Sequence, residues 1–172
     1  PEMEGLSEQE RAQYLAEARY FRALNYFYLV RYFGGVPLIT TPYESLGDLE
    51  VARSSSGEVY DLIIEDLTTA INSNGLTTST MPANNGRITE GVAQTVLADV
   101  YLTRSGAAGD GDYYAEAAES ARNVINSGVY SLTQHSFAGN VLAENGSAYN
   151  KNRLSRLVEN EYIYYYEYAI GI

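Results

Sequence analysis

Between Glu17 and Pro42 the chain passes from a helix that must be buried to a segment that cannot be helical. From Tyr20 to Phe33 the only strongly polar residues are Arg22, Asn25 and Arg31. A helix apolar nearly all round requires other elements on most of its sides. Gly34-Gly35 stops it, because glycine most readily takes the left-handed conformation that ends helices. Pro37 and Pro42 then hold Val36-Pro37-Leu38-Ile39-Thr40 extended. The sequence therefore demands a central helix, helical neighbours around it and a long return connection. Ser7 and Glu10 form a Ser-x-x-Glu capping box, so the helix is predicted from Ser7 to about Phe33.

Three further helices follow from periodicity. Ser55 and Glu58 make a second capping box, and Val59, Leu62, Ile63, Leu67, Ala70 and Ile71 form an apolar stripe that should end at Asn74-Gly75. A third helix is predicted from about Thr89, with Val92, Ala93, Val96, Leu97, Val100 and Tyr101 turned inward. After a loop over 105–112, Asp112 is expected to cap a fourth helix. Tyr114, Ala117, Ala118, Ala121, Val124 and Ile125 are predicted as its buried face, and Gly128 as its stop. Leu97-Ala98-x-x-Tyr101 against small Ala117, Ala118 and Ala121 resembles one tetratricopeptide-type hairpin with an overlong loop. The first two helices could form a second such pair with a still longer insertion. Residues 129–160 read as loop. Glu161-Tyr-Ile-Tyr-Tyr-Tyr-Glu-Tyr-Ala169 reads as a strand, with Tyr162, Tyr164, Tyr166 and Tyr168 on one face.

Charge and composition remove several function classes. With 11 basic and 22 acidic residues the net charge is −11, the wrong sign for nucleic acid or an anionic lipid surface. There is no cysteine and one histidine, His135, so no zinc site of familiar spacing is present. His135 lies beside no recognisable nucleophile. Asp110-Gly111-Asp112 opens like a calcium loop, but Tyr114 and Ala121 stand where ligands are required. No carboxylate pair stands out as a glycosidase pair. Neither a cofactor, a metal nor a catalytic residue is expected. The 17 tyrosines are read first as packing, although an aromatic face joined to a hydroxyl also suits sugars. Arg19 and Arg22, three apart on one helical face, could grip an anion but are expected instead to pair with carboxylates or cap carbonyls in the core.

Glu17-Ala-Arg-Tyr-Phe-Arg-Ala-Leu-Asn-Tyr-Phe-Tyr-Leu-Val-Arg-Tyr-Phe-Gly-Gly-Val-Pro-Leu-Ile-Thr-Thr-Pro42 closely resembles the signature of the SusD/RagB family. Ala52-Arg53-Ser54-Ser55 with Val59-Tyr60, Ile63 and Asp66-Leu67 is similar to its next helix. Gly86-Arg87-Ile88-Thr89-Glu90-Gly91-Val92-Ala93 leading to Leu97-Ala98-Asp99-Val100-Tyr101-Leu102 is similar to the one after. Tyr114-x-Glu116-Ala117-Ala118 with Val124-Ile125-Asn126-Ser127-Gly128 and Asn160-Glu161-Tyr162-Ile163-Tyr164 continue the resemblance in order.

The resemblance implies a mostly α fold, a right-handed array of degenerate tetratricopeptide-like hairpins with minor β near the C-terminus. It implies non-catalytic capture of an oligo- or polysaccharide at the extracellular face of the bacterial outer membrane. Delivery would be to a TonB-dependent, SusC-like transporter. Family members are longer and carry a lipidated cysteine. Residues 1–172 are accordingly expected to be one domain, an incomplete segment of a larger protein, touching membrane only through an anchor outside this chain. No family binding residue matches a position here. Loop residues suited to stacking and hydrogen bonding are the candidates for sugar contact: Tyr43, and Tyr149 with Asn150, Asn152 and Arg153. The alternative is a helical-repeat scaffold that binds a protein. A glycan-active enzyme is the third option.

Overall fold

The computed structural model describes residues 5–42, 50–106 and 110–130. Within them lie four α-helices: α1 (Glu8–Phe33), α2 (Ser56–Asn72), α3 (Glu90–Ser105) and α4 (Tyr114–Asn126), with a 3-10 turn at Pro82–Asn84. α1 packs along α2, and α3 along α4; α2 against α3 joins the two hairpins, and α1 touches α3 over a shorter stretch. This is the predicted array of helix pairs. Among the described residues the β content is a single parallel bridge between Thr77 and Thr89. The tyrosine segment 161–169 lies outside the described residues.

The helix starts follow from local chemistry. Ser7 Oγ accepts from the Glu10 N–H, and Glu10 Oε2 accepts from the Ser7 N–H at 2.9 Å. Ser55 and Glu58 repeat this at α2, with the Ser55 N–H 2.7 Å from Glu58 Oε2. Each box satisfies backbone donors that the first helical turn leaves open. The serine hydrogen bonds also hold the Glu10 and Glu58 carboxyls below the ordinary glutamate value.

The two glycines after α1 do different work. Gly34 has φ +69° and donates its N–H to the Val30 carbonyl, a conformation that L side chains resist. Gly35 lies against the backbone of Ser54, where any Cβ would collide with the Ser54 carbonyl oxygen. Here the chain returns: Ser54 N–H donates to Val36 O at 3.2 Å. The Arg53 guanidinium donates to the carbonyls of Phe33 and Gly35. The segment between is pinned to α1 by the Tyr26 hydroxyl, which accepts from Ile39 N–H at 2.7 Å. The long connection is thus closed at its root.

The core is built from Tyr20, Leu24, Phe27 and Val30 of α1, Val59, Ile63 and Leu67 of α2, and Val92, Leu97 and Val100 of α3, all buried. Side chains of this size stabilise by about 1.5–3 kcal/mol each when fully buried. The apolar stripes predicted for α2 and α3 hold, with Leu62, Ile71, Val96 and Tyr101 partly buried at the edge.

Three expectations change. α1 is not covered all round: Leu15, Phe21, Tyr28, Leu29 and Tyr32 are exposed on its outer side, Tyr32 to 78%. α2 stops at Asn72 with Ser73 as its C-cap; Asn74 takes the left-handed φ of 55°, and Gly75 abuts the Ala12 carbonyl too closely for a Cβ. α4 buries Ala117, Ser120 and Val124, whereas Tyr114 and Ile125, assigned to its inner face, are exposed, Ile125 to 72%. The reason lies in position. α4 is the last described helix and packs chiefly on α3, so only a narrow stripe meets a neighbour. Its N-cap is Tyr113, one residue after the predicted Asp112, whose Oδ1 accepts from Tyr114 N–H at 3.4 Å.

Candidate functional site

Arginines organise the polar interior. In the first hairpin Arg22 forks onto Asp66, with Nε to Oδ2 at 2.6 Å and Nη2 to Oδ1 at 2.7 Å. Arg19 Nη1 adds a third bond to Oδ1 at 3.0 Å. Asp66 is completely buried, and its hydrogen bond raises the Arg22 pKa. Such two-pronged pairing is the strong form of the guanidinium–carboxylate bond. The predicted structural role of Arg19 and Arg22 holds, and Asp66 is the partner. Nearby, Arg87 forks onto Glu17 at 2.8 Å and covers the Tyr14 ring at 5.0 Å. The first set joins α1 to α2, and the second joins α1 to the segment that leads into α3.

A different arrangement occupies the junction of α2, α3 and the start of α4. There an open cleft of about 490 Å³ is lined by Asp61, Ile64, Glu65 and Thr68 of α2, Tyr101 and Arg104 of α3, and Tyr113 and Glu116. Asp61, Glu65 and Thr68 recur at spacings of three and four, which put them on one helix face. Tyr101 and Arg104 do the same on α3. Ser105 Oγ accepts from Tyr113 N–H at 2.6 Å, which fixes the backbone carrying the second tyrosine.

The Tyr101 and Tyr113 rings stack with centroids 5.9 Å apart and planes 22° from parallel. The Arg104 guanidinium lies 4.6 Å from the Tyr113 ring centre, within range of a cation–π contact. It is buried, with Nη1 on Asp61 at 2.8 Å and Nε on Asp110 at 2.9 Å. Burial opposes its charge, but the two carboxylate bonds prevail and raise its pKa. Burial also raises the Tyr101 phenol, assisted by the Glu116 charge. Glu65 and Glu116 are exposed and, among the described residues, make no hydrogen bond or ion pair. The cleft therefore offers paired aromatic rings, hydroxyls and spare acceptors. It can hold a ligand by stacking and hydrogen bonding. Among the described residues no group of acidic or histidine side chains is arranged to hold a metal ion.

The residues predicted to touch sugar, Tyr43, Tyr149, Asn150, Asn152 and Arg153, lie outside the described residues, as does His135. Asp110, singled out in the sequence as part of a broken calcium loop, proves to be the Arg104 partner. The Tyr101–Arg104–Tyr113 cluster was not foreseen. The sequence pattern places Tyr101 in the packing stripe of α3, and Arg104 and Tyr113 carry no local motif.

Residues 2–102, which span α1, α2 and most of α3, match the family model SusD-like, described as starch-binding and associating with the outer membrane. A SusD-like protein of Bacteroides ovatus is 34% identical over 101 residues, which are 59% of this chain and 18% of that protein. Among solved structures, a laminarin-binding SusD-like protein superposes with a TM-score of 0.62 at 30% identity, over 82% of this chain and 28% of the other. Surface glycan-binding protein A from Bacteroides fluxus gives 0.64 at 28% identity, over 77% and 26%. The chain spans less than a third of the length of each.

Proposed function

This chain belongs to the SusD-like family, and from that premise we propose that it forms the helical part of a non-catalytic glycan-capture protein. Its place is the extracellular face of the bacterial outer membrane, and its cargo passes to a TonB-dependent, SusC-like transporter. The observation that carries this is the family match through α1, α2 and α3. Superposition on proteins described as binding laminarin and surface glycan supports it. The cleft chemistry is compatible with sugar: tyrosine rings for the apolar face of a pyranose, and carboxylates, hydroxyls and a guanidinium for its hydroxyls.

Affinity electrophoresis through gels containing starch, laminarin or other soluble polysaccharides tests the capture. Retarded migration in at least one polysaccharide is expected, with no new reducing ends after prolonged incubation. Unchanged mobility across the panel overturns glycan capture, and release of reducing ends overturns the non-catalytic assignment. Cross-linking in outer-membrane fractions to a TonB-dependent transporter tests delivery.

One observation favours a second reading. The exposed apolar row Leu15, Phe21, Leu29 and Tyr32 on α1 suits a protein neighbour better than a polar sugar. A helical scaffold for protein binding would show no polysaccharide retardation.

A further inference from the structure

The outer side of α1 carries a row at helical spacing. Tyr14, Ala18, Phe21, Asn25 and Tyr32 follow one another at intervals of four, three, four and seven, which lines them up along one face. All five are exposed, and exposed Leu15 and Leu29 widen the row. Its one polar member, Asn25, turns its amide back onto the Phe21 carbonyl at 2.7 Å. A continuous apolar row of this kind gains by being taken out of water.

The position of Tyr130 bears on what covers it. The Tyr130 hydroxyl meets Thr89 Oγ1 at 3.2 Å. Two residues before Thr89, the Arg87 guanidinium lies over the Tyr14 ring at 5.0 Å. The last described residue is thus linked through this short series of contacts to the start of the row. Residues 131–160 follow, and a chain of that length reaches about 30 Å even as a random coil. The row spans about 27 Å along the helix from Tyr14 to Tyr32. Beyond it in the sequence stands the densest run of tyrosine, Glu161-Tyr-Ile-Tyr-Tyr-Tyr-Glu-Tyr-Ala169. Tyrosine rings cover apolar surface while their hydroxyls stay hydrated.

We infer that residues 161–169 fold back across the exposed row of α1 and cover it from within the same chain. A tethered segment meets the row at an effective concentration in the millimolar range, which a second molecule at micromolar concentration does not match. The row is then part of the protein's own packing, not an open face for a foreign protein.

Photocross-linking on the whole chain tests this. p-Benzoylphenylalanine in place of Phe21, an exposed ring, should join to a peptide from 161–169 at monomer mass. Joining at dimer mass assigns the row to a second copy and overturns the inference, as does joining to any other segment or to none. Hydrogen exchange gives a second measure. Phe21→Ser/Tyr32→Ser should speed exchange across 161–169 about tenfold, the order expected for two lost aromatic contacts. Leu102→Ser/Ile125→Ser, which removes exposed apolar side chains from α3 and α4 instead, should leave it unchanged. An unchanged circular dichroism spectrum verifies that each variant folds. Equal exchange in all three proteins, or equal acceleration by both pairs, overturns the inference. Glycan capture stands or falls separately, on the polysaccharide panel.

Discussion

The two hairpins use the same ion pair with burial reversed. In the α1/α2 hairpin the carboxylate is the hidden member: Asp66 is 0% exposed while Arg22 remains 30% exposed. At the junction of α2 with the α3/α4 hairpin the guanidinium is hidden: Arg104 is 7% exposed and its partner Asp61 is 69% exposed. A charge shut away from water depends on its partner, whereas a charge at the surface falls back on hydration. The first pair therefore fixes the register of two helices. The second leaves charge at the surface, where a ligand can reach it.

The largest expected effect follows from that reversal. Arg22→Met strands most of the Asp66 charge and should cost about 3 kcal/mol of stability in urea unfolding. A loss below about 1 kcal/mol, the worth of a surface pair, would break the comparison. Gly35→Ala comes next. Its Cβ meets main chain, not a flexible side-chain tip, so a cost of about 2 kcal/mol is expected as the connection shifts. The same unfolding curves measure it.

Ser55→Ala removes the cap of α2 and should cost about 1 kcal/mol. The caps also predict an acid dependence. Glu10 and Glu58 are held below the glutamate value of 4.5 by the serine hydrogen bonds. Their contribution is complete above that value and is lost as pH falls through the lowered one. Thermal unfolding of the wild type should therefore weaken with acidification in that window. Ser7→Ala/Ser55→Ala should weaken less steeply there; an unchanged slope would remove the caps as its source. The smallest effect is expected for Asp61→Asn, within about 0.5 kcal/mol, because the buried Arg104 keeps Asp110 as its ionic partner and the substituted amide oxygen can still accept from Nη1. A cost matching that of Arg22→Met would erase the distinction between the hairpins.

What the sequence made legible was local or periodic. Ser7 with Glu10 and Ser55 with Glu58 act across three residues, and both boxes formed. Gly34-Gly35 ended α1 as predicted, and the stripes of α2 and α3 pointed inward. The need of Arg19 and Arg22 for carboxylates was legible from their place in an apolar helix. What failed required knowing neighbours. Ile125 and Tyr114 match a buried period, but periodicity cannot say that α4 has a narrow contact. Arg104 gathers Asp61 from 43 residues away and Asp110 from the next loop, and no motif links such distant positions. The Arg53 contacts with Phe33 and Gly35 are equally non-local.

The closure at Gly35, Arg53 and Ser54 has a consequence for loop length. Because the two ends of the connection are fastened to each other beside α1, what lies between Pro42 and Glu50 can lengthen without prising the hairpin apart. Doubling a closed loop adds only about 0.6 kcal/mol of closure entropy. A change in the length of that stretch is therefore a small entropic matter for the hairpin, whose fastening lies at Gly35, Arg53 and Ser54.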